Sequence, residues 1–82
     1  MWFYKYGDGQ VLVISTSERQ RLIDEAESKC AICGVFTETP HLDHCHETGK
    51  IRGILCPSHN TALGKFGDDI SLLHRAIAYL QQ

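Results

Sequence analysis

Residues 42–60 read "LDHCHETGKIRGILCPSHN" and hold three of the chain's five histidines, two of its four cysteines and its sole asparagine. Within this stretch "HLDHCH" and "KIRGIL" flank "ETG", a pattern of two short strands joined by a turn. A helix over about Pro57–Lys65 follows, with proline in its first turn and Gly64 and Gly67 marking its end. A strand pair running into a helix, with donor side chains on the first strand and around the helix start, reads as a small α+β domain organised around bound metal.

Upstream, "CAICG" places two cysteines three positions apart ahead of a glycine, a tight knuckle whose sulfurs can converge on one ion. Cys30-x2-Cys33 and Cys56-x2-His59 together supply the four donors of a tetrahedral structural zinc. Cys56 and His59, three apart at a helix start, fall on neighbouring positions of one face. Cys45 lacks a partner at that spacing and reads as a packed free thiol.

The flanks complete one domain, residues 1–82, with its motif core at about 30–66. "WFYKYGDGQVLVI" has an aromatic run, a Gly-Asp-Gly turn and a β-branched run, which predicts a hairpin. "STSERQRLIDEAESK" predicts a helix over about 17–28, capped by its Ser/Thr cluster. In "DDISLLHRAIAYLQQ" either Asp68 or Asp69 serves as a helix cap, with Ile70, Leu73, Ala76, Ile77 and Leu80 on one face. His41 reads as a loop or supporting residue, and His74 as solvated.

At 82 residues, 43% hydrophobic and 22% charged, the composition is globular rather than disordered. A core this small needs a disulfide, a metal or a partner to supplement it. No charged start precedes an apolar run, and no run approaches the roughly 18 residues of a membrane span. A soluble, cytoplasmic protein is expected, which favours metal over disulfides for the cysteines. The net charge of −2 argues against coating nucleic acid by charge alone, but leaves room for a local basic strip at Lys50, Arg52 and Lys65.

Once zinc has taken its ligands, Asp43, His44, His46 and Asn60 remain. Asp43 and Asn60 offer hard oxygens suited to Mg²⁺, and His44 is a neutral-pH base beside them. Asp43 and His44, adjacent on a strand, point to opposite sides, one toward a metal and one toward a water. Lys50 and Arg52 alternate with Ile51, which predicts a shared face on the strand that pairs with the one carrying His44, where phosphate contacts are expected.

"CAICG…LDHCHETGKIRGILCPSHN" resembles the recombination endonuclease VII branch of the HNH, or ββα-metal, nucleases, many of them phage-encoded, over about residues 18–66. The resemblance implies a zinc-stapled ββα-metal core that binds DNA and hydrolyses or nicks it, leaving 5′-phosphate and 3′-hydroxyl ends. It implies that Asp43 and Asn60 hold one catalytic Mg²⁺ or Mn²⁺, that His44 is the general base and that His46 contacts the scissile phosphate. Cys30, Cys33, Cys56 and His59 match the zinc ligands. Two departures stand out: the family most often has cysteine where His59 stands, and general HNH nucleases carry a middle asparagine that this chain lacks, leaving its role to Thr48 or to backbone groups. The alternative from a different class is a zinc-stabilised module that binds nucleic acid or protein without catalysis. Whether the protein acts as a monomer or a homodimer stays open at this level.

Overall fold

The structure, a computed structural model, describes all residues 1–82. It begins with an antiparallel hairpin, β1 (Trp2–Tyr6) and β2 (Gln10–Ile14), in register from Trp2 opposite Ile14 to Tyr6 opposite Gln10. Gly7 and Gly9 both have positive φ, so the predicted Gly-Asp-Gly turn is where the chain reverses. Ser15 then caps α1 (Thr16–Glu25), its hydroxyl accepting from the Glu18 N–H at 3.0 Å.

Helix α1 stops three residues short of the sequence expectation. Glu27 and Ser28 both adopt left-handed backbone, φ 55° and 54°, and the Ser28 N–H closes back on the Ile23 carbonyl at 2.9 Å. Ser28 also donates its hydroxyl to the Thr37 carbonyl at 2.6 Å while its own carbonyl accepts from the Thr37 N–H. This local closure competes with another helical turn and directs the chain into the first cysteine pair.

The second hairpin pairs β3 (His41–His44) with β4 (Ile51–Leu55), and α2 (Pro57–Lys65) follows directly and packs on β3. The register runs His41 to Leu55, Leu42 to Ile54 and Asp43 to Gly53, then slips so that His44 faces Ile51. Arg52 is thus the extra residue of a β-bulge. In an unbroken ladder it would pair with His44 and share that residue's face; the bulge re-aims it.

Ile14, Ile23, Leu42 and Ile54 form the core, with Tyr4, Leu22, Ala26 and Ile51 packed against it. Only 8 of 82 residues are buried, so this core alone gives little stability and a further staple is expected at this size. The last helix, α3 (Ile70–Leu80), forms as its periodicity predicts, capped by Asp69, whose carboxylate accepts from the Leu72 N–H at 3.2 Å. Its apolar face does not close over the core: Leu73 and Ala76 are half-buried, while Ile70, Ile77 and Leu80 are exposed. No helix is long and apolar enough to cross a membrane.

Candidate metal centre and active site

The two predicted ligand pairs meet. One ligating atom from each of Cys30, Cys33, Cys56 and His59 lies within 4.8 Å of all the others, the set a tetrahedral ion requires. Three thiols and an imidazole are the donors zinc prefers, and zinc–sulfur bonds of about 2.3 Å put neighbouring ligands close to the separations found here. His59 presents Nδ1, 3.1 Å from the Cys56 sulfur and 3.9 Å from that of Cys30.

Local backbone geometry builds each half of this centre. In the first, the Cys30 N–H donates to the Val35 carbonyl, the Gly34 N–H returns to the Cys30 carbonyl at 2.8 Å, and Gly34 takes φ 73°. The Ile32 N–H then points at the Cys30 sulfur, 3.4 Å away. In the second, Cys56 is the N-cap of α2, its sulfur accepting from the His59 N–H at 3.5 Å.

Electrostatics within the cluster are uneven. Burial opposes ionisation of Cys30, but N–H groups of Cys33, Cys56 and Ile32 and the Cys33 thiol outweigh it and bring its pKa down to about 6. Cys33 moves the other way: the Val35 N–H draws it down, yet burial and the neighbouring Cys30 and Cys56 sulfurs prevail and push it up. Cys30 is the sulfur most ready to receive an ion. Cys45 stands apart from this cluster, half-exposed, its thiol drawn below the usual range chiefly by the Thr48 hydroxyl.

On the β3–β4 hairpin, Asp43 is buried and both its oxygens are engaged by Arg52, Nε to Oδ2 at 2.6 Å and Nη2 to Oδ1 at 3.0 Å. This is a bidentate fork, the strongest form of such a pair. Nη2 also donates to Asp68 Oδ2 at 3.1 Å, and His46 Nε2 lies 3.4 Å from the same oxygen. Asp43 and then Asp68 hold the Arg52 guanidinium more firmly in its charged form. Arg52 therefore rests on carboxylates, and Lys50, exposed just ahead of β4, has no side-chain partner.

Asp68 was a helix-cap candidate by sequence. Asp69 takes the cap, and Asp68, at φ 56° directly after Gly67 at φ 65°, turns its carboxylate to Arg52 instead. The signal was present in "GDD": the helix start carries one acid more than a cap needs, and aspartate tolerates left-handed backbone better than most residues.

His44 faces the other way, as strand alternation predicts. Its Nε2 lies 2.9 Å from the Lys5 carbonyl, and its ring packs tilted against Tyr4 and His46, centroids 5.3 and 4.9 Å apart. A carbonyl only accepts, so Nε2 carries the proton and Nδ1 is left as the basic nitrogen of the neutral ring. The β1–β2 hairpin thus does more than cover the core. The Gly7 N–H also donates to the His46 carbonyl at 2.7 Å, and Tyr6 packs so closely on Gly49 that a β-carbon there would lie 2.8 Å from its ring. Nothing in the sequence marked Lys5, because a backbone carbonyl is common to every residue.

Asn60 is half-buried on α2, next in sequence to His59, and its side chain makes no hydrogen bond, to Asp43 or to any other group. His41 opens β3 and His74 lies on α3, both exposed and outside the site. Between His46 and the turn joining α2 to α3 opens a cleft of about 640 Å³, whose polar lining mixes the acids Glu47 and Asp68 with His46 and Arg52. A preformed ion-binding knot, a buried carboxylate neutralised by a cation and an oriented imidazole are parts from which hydrolysis of a phosphate ester can be assembled. No solved structure matches the chain. Among protein families, recombination endonuclease VII matches residues 5–82, nearly the whole length, and the chain belongs to that family.

Proposed function

We propose that this protein is a metal-dependent DNA endonuclease of the HNH, ββα-metal type, hydrolysing or nicking the phosphodiester backbone by a one-metal route. The observation that carries this reading is the division of labour at Asp43-His44: the aspartate meets a cation on one side of β3, while the histidine on the other side has Nε2 tied to the Lys5 carbonyl and Nδ1 basic. Cys30, Cys33, Cys56 and His59 hold a structural zinc, which closes its coordination sphere and leaves the chemistry to the neighbouring residues.

His44 Nδ1 takes a proton from water as its oxygen bonds to phosphorus. The bond from phosphorus to the 3′ oxygen breaks, and that oxygen takes a proton from solvent, leaving 5′-phosphate and 3′-hydroxyl ends. His46, beside the cleft, contacts the scissile phosphate, and Lys50 gives a neighbouring phosphate contact. Arg52 joins those contacts when it leaves Asp43. Asp43 supplies a hard carboxylate already matched to positive charge, and Asn60 an uncommitted amide oxygen, so the donors fit Mg²⁺ or Mn²⁺. Such an ion, when bound, stabilises the charge that builds on the phosphate and the departing oxygen.

A zinc-stabilised binding module remains the second reading, because Arg52 already satisfies Asp43. Supercoiled plasmid incubated with the protein in EDTA, Mg²⁺, Mn²⁺ or added Zn²⁺ separates the two. Nicked or linear product with a hard metal, lost in a His44→Ala variant that still holds zinc, is the expected result. Equal cutting by that variant overturns the mechanism, and absence of cutting with every metal favours the module.

A further inference from the structure

Arg52 raises a question that the nuclease reading leaves unanswered. If Asp43 ligates a divalent ion, the guanidinium that occupies both its oxygens has to go elsewhere, and stranding a partly buried cation is costly. We propose that Arg52 is the resting counter-ion of Asp43 and that Asp68 is the carboxylate that keeps it when Asp43 turns to metal, making Arg52 and Asp68 paired positioning residues. The inference rests on the assignment of Asp43 as a metal ligand.

Three independent features converge on this exchange. Arg52 Nη2 already donates to Asp43 and Asp68 together, at 3.0 and 3.1 Å, so release from the first leaves one charge-assisted bond in place. The β-bulge is located at Arg52 itself and turns its side chain to the face of Asp43. Asp68, at φ 56°, turns its carboxylate to Arg52 rather than to the helix start, and the helix cap is not its task, since Asp69 performs that.

The charges also balance. At rest, two carboxylates face one guanidinium, an assembly with one negative charge to spare. After the exchange Arg52 and Asp68 neutralise each other, and Asp43 is free to face a divalent ion. Arg52 thereby occupies both oxygens of Asp43 in the absence of metal and sets a threshold that a weakly bound ion does not cross.

Mn²⁺ binding to the zinc-loaded protein, followed by electron paramagnetic resonance of the free ion, tests this without reference to cutting. Arg52→Gln removes the competitor and is expected to tighten Mn²⁺ about tenfold, the scale of one charge-assisted bond. Arg52→Lys, which keeps the charge and loses the fork, tightens it less and carries the test should the glutamine variant fold poorly. Asp68→Asn weakens Mn²⁺ severalfold in the parent protein, because Arg52 then clings to Asp43, and weakens it less in the Arg52→Gln background.

Equal weakening by Asp68→Asn in both backgrounds reduces Asp68 to a distant charge and overturns the exchange, as does unchanged affinity in the Arg52 variants. Asp43→Asn distinguishes the two levels of failure. If it loses Mn²⁺ while the Arg52 variants match the parent, the exchange alone is wrong; if it binds Mn²⁺ as the parent does, Asp43 is no ligand and both assignments fall.

Discussion

The two charged centres of this small protein lie on and beside one hairpin and differ in how they are neutralised. The Cys3His centre gathers four donors around a gap and has no internal cation, so folding it without an ion crowds sulfurs together. The Asp43 centre carries its own cation in Arg52 and is satisfied as it stands. A structural metal is then part of folding, whereas a catalytic metal has to compete for its place. On the proposed reading, the chain would hold one ion tightly at the first centre and another exchangeably at the second.

The largest test of that contrast is removal of zinc. Structural zinc in small domains contributes about 10–16 kcal/mol of binding free energy, and the four-residue core here offers little in its place. A strong chelator is expected to collapse the dispersed NMR spectrum, while EDTA-free buffer lacking Mg²⁺ leaves it unchanged; a folded spectrum after zinc removal breaks the comparison. Protons act in the same direction. With Cys33 raised, protonation competes there first, and Cys30 joins only as pH falls through about 6, so zinc affinity declines steadily with acid.

A smaller effect is expected from Arg52→Ala, which strands the buried Asp43. Loss of a buried partner costs about 3–5 kcal/mol, but the Arg52 side chain is 37% exposed, so about 2 kcal/mol by urea unfolding is the expectation. No change at all means that water already satisfies Asp43. Gly49→Ala should cost about 1–2 kcal/mol from left-handed strain plus the collision with Tyr6, and it should loosen His44 from the Lys5 carbonyl. Altered ¹⁵N shifts of the His44 ring in that variant would show the hairpin's hold directly.

The mildest test concerns Cys45. Its lowered pKa means more thiolate near neutrality, so iodoacetamide should label Cys45 ahead of the three zinc-bound thiols, at a rate that falls as pH drops through that lowered value. Thr48→Val, removing the hydroxyl that does most of this, should slow labelling severalfold. An unchanged rate assigns the reactivity to the backbone N–H groups of Glu47 and Thr48 instead.

The Cys3His cluster could be read from the sequence because its information is local: each pair is closed by one turn of backbone, and spacing alone reports that. The opposed directions of Asp43 and His44 were legible for the same reason. The partners of Arg52 were not, because a bulge shifts a side chain between faces without leaving a mark in the alternation of "KIRGIL". Asp68 reaches its partner across 16 positions, beyond what periodicity reports. The premature end of α1 escaped as well, since nothing in "EAESK" announces two successive left-handed residues. The apolar stripe of α3 was visible, but a stripe does not say what covers it.

Cys56 occupies two positions at once, N-cap of α2 and corner of the Cys3His knot. Starting an isolated helix is the slow, entropically costly event, and a nine-residue segment is too short to persist unaided. An ion captured by Cys56 and His59 would fix that first turn, making the winding of the helix and the loading of the metal one cooperative event. The segment that carries Asn60 would then take its shape together with the metal.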